Sequence, residues 1–526
     1  MIGRLRDILG IGLLAGAAVW SIVHVATQTA REVDPTITTI RISHWQLEAG
    51  MREAFDAVAA AYQRLHPNVR IVQIAVPGQV YGTYLRTQQA SDDPPDLMEL
   101  GTTADEILAR HFVPIGPAVE RPNPYNRGTD LENVPWRDTF LDGLASSPGL
   151  ETLLDYYAVP SALVTVRMYY NRSLHAEIFG NRPPPRDFDE FLDVCRRTRE
   201  FAVSTGRAVW PVAGSRFNAN ILLDRLFRSQ TQRLAMEIDP MRSLRAPETL
   251  AFLNDHVTLD HPAIRSGLHL MRDVATQMPS GFMQFDRDQA IFHFAQGRAL
   301  MIATGSWDYR SIESQSPFPV GIFALPAPTA DHPRYGKYAL GPVSEAGKDL
   351  ATKLHLSARS RNPDVAIDFL QFLTSRPGNQ IFADHSKWIP AIVGVRVPAE
   401  AAPFAPVSEG YPDGFAIAPI MWGAGELFRI QSNHLHLLLD SGGSVERFVA
   451  AMKKDLDKAV RDDAAKQARA YFDNIRRQDT TLAALRHLET PATRPAGKLS
   501  SLWETQNAQE LLWHWLQSEL AGEPTR

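Results

Sequence analysis

The sequence predicts an α/β fold with mostly parallel sheets flanked by helices, and three observations lead there. Between residues 39 and 100 the apolar pattern switches between a period of two and a helical period, giving the order strand, helix, strand, helix, strand. The chain has 526 residues, 44% hydrophobic and 21% charged, which is enough apolar surface for about two to four packed domains. Outside the N-terminus no apolar run approaches the ~20 residues that a membrane span needs.

Thr39–Ser43 alternates apolar and polar residues and reads as the first strand, ending at His44-Trp45. A helix is predicted from Glu48 to Leu65, because Phe55, Val58, Tyr62 and Leu65 fall on one face. His66-Pro67 stops it, since proline disfavours a helical residue before it. Val69–Val76 is rich in β-branched residues and reads as a strand. A short helix fits Tyr81–Ala90, and Leu97–Leu100 is another short strand. In a parallel sheet, ligands sit beyond the carboxyl ends of the strands, which puts His44, Trp45, Gln46, Glu99 and Thr102 at a plausible site edge.

Ala158–Asn171 is extended and apolar. Asp187 and Glu190 have the spacing of a capping box, so a helix opens near Phe188 and buries Phe188, Phe191, Leu192, Cys195 and Phe201. Cys195 thus reads as a core thiol. Gln289–Gln296 looks helical, Ala299–Thr304 and Val320–Leu325 look like strands, and Asn362–Phe372 is helical. Trp136, Trp210 and Trp388 read as core aromatics.

The two ends differ from the body. Arg4 and Arg6 precede Ile8–Ala26, which is uncharged and would make a helix about 28 Å long. No small-x-small cleavage site follows, and no cysteine stands nearby to accept a lipid. The segment 1–30 is therefore read as a signal anchor, with the N-terminus in the cytoplasm and the body outside. At the other end, Ser444–Arg476 reads as one or two charged amphipathic helices and Thr490–Lys498 as a linker. Ser501 and Glu504 suggest a capping box that opens a last helix carrying Trp503, Leu511, Leu512, Trp515 and Leu520, whose apolar side must be covered by something.

Composition narrows the function. A net charge of −5 gives no reason to expect nucleic acid, whose binders carry a basic face. One cysteine excludes a disulfide framework within the chain and any multi-cysteine metal site. The chain lacks the GxSxG, HExxH, P-loop and CxxC patterns. His434 and His436 stand two apart, so on a helix they point to different faces and make a poor metal pair. No cofactor or metal is expected.

Several stretches carry a more specific signal: TIRISHWQLEAGMREAFDAVAAAYQRLHPNVRI, PPDLMELG, VPSALVTVRMYYNRSLHAEIFG with its Tyr170-Asn171, NRPPPRDFDEF, AIFHFAQGRALMIATGSWDY, and VAIDFLQFLTSRPGNQIFADHSKWIPA. In order and spacing, from about residue 36 to about 395, they resemble the family-1 extracellular solute-binding proteins. These are the carbohydrate-type binding proteins of ATP-binding-cassette importers. The resemblance implies the two-lobed periplasmic-binding-protein fold (type II-like), with a ligand closed between two hinged α/β lobes. It implies residues 36–160 and 305–355 in the first lobe and 161–304 and 356–480 in the second, with 481–526 as linker and C-terminal helix. Lobe crossings are expected near Val159-Pro160-Ser161, Thr304-Gly305 and His355-Leu356-Ser357. It further implies a non-enzymatic, monomeric body in the bacterial envelope, handing a mono- or oligosaccharide to transporter permease subunits.

Sugars have apolar C–H faces that stack on aromatic rings, and hydroxyl pairs that match carboxylates, amides and guanidinium groups. On the loops where the family places its contacts, the first-lobe candidates are Trp45, Gln46, Glu48 and Glu99. The others are Arg216, Phe217, Asn218, Trp307, Asp308 and Trp422, with Trp45 and Trp307 foremost. The alternatives are an envelope-anchored carbohydrate hydrolase, which would need two carboxylates about 5–10 Å apart among the acidic residues, and a ligand-sensing module.

Overall fold

The computed structural model describes residues 36–101, 103, 105–150, 153, 155–239, 247–346, 350–418, 425–488 and 498–522. The expected anchor at 1–30 and the candidate Trp422 lie outside these residues. Among the described residues no helix is long and apolar enough to cross a membrane.

The chain opens with β1 (Thr38–His44), α1 (Met51–Leu65), β2 (Val69–Ala75), α2 (Gly78–Ala90) and β3 (Leu97–Glu99). Ile40 and Ile42 are fully buried on β1, as the period-two reading requires. Phe55, Val58 and Tyr62 are buried on α1, whereas Leu65, expected on the same face, is exposed in the last turn. The helix starts three residues later than its pattern suggests because Gly50 takes a left-handed φ of 92° just before it. A side chain at Gly50 would also collide with the Arg310 guanidinium.

The extended run 158–171 divides into β4 (Ala158–Val159), β5 (Ala162–Leu163) and β6 (Val166–Asn171), each in a different sheet. Then come α3 (Phe188–Thr205), β7 (Trp210–Ala213), α4 (Arg216–Gln230), α5 (Arg287–Ala295), β8 (Ala299–Gly305), α6 (Tyr309–Gln315) and β9 (Val320–Phe323). On α3, Phe188, Phe191 and Cys195 are buried, and burial pushes the Cys195 thiol pKa up, so it is an inert core group. Asp187 caps α3 by accepting from the Glu190 N–H at 2.8 Å, while the Glu190 carboxylate turns to Arg186 rather than completing the box. The remaining named elements are β10 (Leu350–Ala351), β11 (Leu354–Leu356), α7 (Pro363–Leu373), α8 (Arg376–Ser386), β12 (Ile389–Pro390), α9 (Leu456–Leu488) and α10 (Lys498–Ala521).

The sheets have the orders β2-β1-β3-β11-β4, β10-β5-β12 and β7-β8-β6-β9. Among the strands of the described residues, β1–β2, β1–β3 and β7–β8 are the parallel pairs. Both large sheets are thus mixed where mostly parallel ones were expected. β6 and β11 run against the β-α-β units of their sheets, whereas β4, antiparallel to β11, runs with β1–β3.

Strand pairing also divides the chain differently from the expected 305–355 and 356–480 boundaries. β9 pairs with β6, so residues around 320 belong to the second lobe. β11 pairs with β3, and α7 and α8 pack on α1 through Tyr62–Phe369 and Phe55–Phe382, with ring centroids 5.2 and 5.3 Å apart. Residues from about 350 to 404 therefore belong to the first lobe. Thr304-Gly305 ends a second-lobe strand, and His355-Leu356 lies inside the first-lobe sheet, so neither is a crossing. The crossings meet in the small sheet, where β5, β10 and β12 supply one strand each.

The C-terminal helix docks on the second lobe. Leu512 and Leu516 are buried in the same apolar cluster as Ala464, Ala468 and Tyr471 of α9, and Trp513 lies 5.5 Å from Phe472. The helix starts at Lys498, so Ser501 is interior rather than a cap, and the expected boundary at 480/481 falls inside α9.

Candidate functional site

The carboxyl ends of β1 and β3 carry one half of the site. Trp45 is half-buried, edge-on to Tyr81 at 5.2 Å, with its Cβ beside Gly78 and its ring edge beside Gly101. Tyr81 donates to the backbone oxygens of Ser43 and Glu99, at 3.0 and 2.9 Å, and ties the two strand ends together. Glu99 is fully buried. Its carboxylate accepts from Gln46 Nε2 at 2.6 Å and from the Trp45 N–H at 3.3 Å. Burial pushes the Glu99 pKa up to about 8; nearby Glu48 adds to this, and the two hydrogen bonds hold it back.

The second lobe supplies the other half. Trp307 is half-buried on the turn after β8, its indole flat against Gly305, where a Cβ would come within 2.2 Å of the ring. Phe217, in the first turn of α4, lies 6.4 Å from Trp307, edge to face. Asp308 is buried and accepts from Thr304 Oγ1 at 2.5 Å.

Arg287, the first residue of α5, joins the two halves. Its guanidinium pairs with Asp308 through Nη2 and through Nε at 3.2 Å, and reaches Glu48 of the first lobe at 3.1 Å. It also lies over the Phe217 ring, 5.4 Å from the centroid. Burial alone would lower the Arg287 pKa, but Asp308 and Glu48 more than offset it and keep the group charged.

Glu48, Phe217, Trp307 and Asp308 thus meet around Arg287, and Trp45, Gln46 and Glu99 form an adjoining group. Arg216 stands at the start of α4 and is exposed. Asn218 faces inward: fully buried, it donates to the Ala303 oxygen at 2.7 Å and contacts Ser215 Oγ at 2.7 Å, fastening α4 to β8. No cluster of three or more His, Cys, Asp or Glu side chains fit for a metal occurs among the described residues.

The sequence profile of the bacterial extracellular solute-binding proteins matches residues 57–404, well over half of the chain. The chain belongs to this family. The multiple sugar-binding protein of Streptococcus mutans is 21% identical over 394 residues, covering 73% of this chain and 83% of that protein. Among solved structures, RafE of Streptococcus pneumoniae has a TM-score of 0.54 at 17% identity, covering 81% of this chain and 98% of RafE. The GacH receptor of Streptomyces glaucescens has a TM-score of 0.55 at 15% identity, covering 81% and 99%. These similarities establish the two-lobed fold, and family membership places the protein outside the cytoplasm.

For a solute-binding protein, the sequence reading missed Arg287, which holds the two halves of the site together. A signal was present. Asp286 and Gln289 have capping-box spacing, and both hydrogen bonds form, which puts Arg287 at the first helical position. A cation there opposes the helix dipole, so neighbouring carboxylates must hold it.

Proposed function

We propose that this protein binds a carbohydrate between its lobes, without altering it, and presents the closed form to the membrane subunits of an ATP-binding-cassette importer. One observation carries the reading: aromatic faces of the second lobe and hydrogen-bonding carboxylates from both lobes converge around Arg287. Trp45, Trp307 and Phe217 offer faces for the sugar's C–H surfaces, Glu48 offers an acceptor for its hydroxyls, and Asp308 holds the Arg287 guanidinium in place. Gln46, Glu99 and Asn218 position these groups from behind. The sugar-binding relatives, including the S. mutans protein and a RafE complex with raffinose, support the ligand class.

The mechanism is a population shift. Open and closed forms differ by a few kcal/mol, and contacts made with both lobes only on closure favour the closed form. The apolar segment Ile8–Ala26 would keep the protein on the outer face of the cytoplasmic membrane, raising its effective concentration at the importer.

The full chain in detergent, titrated with mono- and oligosaccharides, is expected to show ligand-dependent thermal stabilisation and no product. Trp307→Ala is expected to weaken that binding by more than about tenfold. Unchanged affinity would remove Trp307 from the site, and glycoside turnover would replace binding with hydrolysis.

A further inference from the structure

We propose, building on the sugar-binding reading above, that the cleft selects an amine-bearing, basic sugar over its neutral and acidic counterparts, with Glu48 receiving the ammonium group. The charges between the lobes do not balance. Glu48 and Asp308 are two carboxylates served by the single guanidinium of Arg287. Asp308 takes the larger share: it is paired through two Arg287 nitrogens and also accepts from Thr304. Glu48 receives Arg287 on Oε1 alone. Its Oε2 is buried and takes no hydrogen bond from any described residue. A carboxylate oxygen withdrawn from water in this way is costly unless a donor reaches it, and a charged donor serves it best.

The other cations nearby do not make up the difference. Arg52 and Arg216 are exposed, where water and salt screen them. Arg310 is turned to the His385 carbonyl at 2.9 Å. Behind Glu48, buried Glu99 brings no positive charge, and burial lowers the His44 pKa, which disfavours its cationic form. The aromatic faces of Trp307 and Trp45 also favour a cation. A uronic acid or phosphorylated sugar would instead bring like charge to two carboxylates.

The test uses the full chain in detergent at about pH 6, where such amines are protonated. Calorimetric titrations compare matched sugars of gluco, galacto and manno configuration, as monosaccharides and trisaccharides. Each set holds the neutral sugar, its 2-amino-2-deoxy form and its uronic acid. In the configuration that binds, the amine is expected to bind at least about tenfold tighter than the neutral sugar, and the uronic acid weakest. Glu48→Gln is expected to weaken the amine at least about tenfold more than the neutral sugar, bringing the two to similar affinity. Equal or tighter binding of the neutral or acidic member, or an amine preference that survives Glu48→Gln, overturns the inference and leaves sugar binding standing. No binding by any member overturns the sugar-binding reading itself, and this inference with it.

Discussion

Glu99 shows how one buried group sets the geometry of a ligand-facing one. Its carboxylate receives the Trp45 N–H and the Gln46 amide, so the loop that carries the Trp45 ring hangs from a fully buried acid. With a folded pKa near 8 against an ordinary 4.5, the folded chain holds this proton more tightly than the unfolded chain does. Stability from this group is full below about pH 4.5 and declines as pH rises to about 8, by at most about 1.4 kcal/mol per pH unit. Glu99→Gln keeps the shape and removes the titration. Urea unfolding across that range is expected to show a flatter profile for the variant; equal slopes would mean Glu99 titrates normally. The placement of Trp45, Glu48, Trp307 and Asp308 beyond strand ends was legible in the sequence, because the strands themselves are patterned locally. The amides were not: Gln46 and Asn218 look like sugar-binding amides, yet both are occupied by internal partners supplied from distant strands. Local sequence carries no record of such partners.

Three connections join the lobes, and a buried ion pair draws them together on the second-lobe side. Arg167, at the start of β6, pairs with Glu345 through both guanidinium nitrogens at 2.9 Å and donates to the Val166 carbonyl. It also donates to the Ala405 carbonyl, and Glu345 accepts from the Val407 N–H. First, second and third connections thus meet at one bidentate pair with side chains 6% and 12% exposed. Burial would raise the Glu345 pKa, but Arg167 and the Val407 N–H more than offset it, so the stability it gives is present above the ordinary carboxylate range and lost as pH falls below it. Glu345→Gln leaves Arg167 buried without a counter-charge, at a cost of about 3–5 kcal/mol. Equilibrium unfolding near neutral pH is expected to show that loss, and a loss below about 1 kcal/mol would mean the pair contributes no more than a surface ion pair. This hinge was the part of the fold least legible from sequence. β5, β10 and β12 are two residues long, too short for any periodicity, and their place is fixed only by pairing across 187 to 228 positions. The first β-α-β units, by contrast, were read to within a few residues because their patterns are local.

At the scale of the whole molecule, the lobes meet through the hinge, across the cleft at Arg287–Glu48, and where Arg310 of α6 donates to the His385 carbonyl of α8. The Arg287–Glu48 contact, which lies at the candidate site, has to break when the cleft opens. The ligand-free protein is therefore an equilibrium in which this pair favours closure, and any ligand acts on a bias already present. Arg287→Gln removes the bias and leaves Asp308 and Glu48 as two like charges facing each other across the cleft. Small-angle scattering is expected to give a larger radius of gyration for the ligand-free variant than for the ligand-free native chain. With saturating ligand the two are expected to converge, because contacts to both lobes then dominate. Apparent affinity should fall in proportion to the lost closed population, since binding must now restore it. If the ligand-free radii are equal, the hinge and the Arg310–His385 contact set the interlobe angle, and the Arg287–Glu48 pair follows closure without contributing to it.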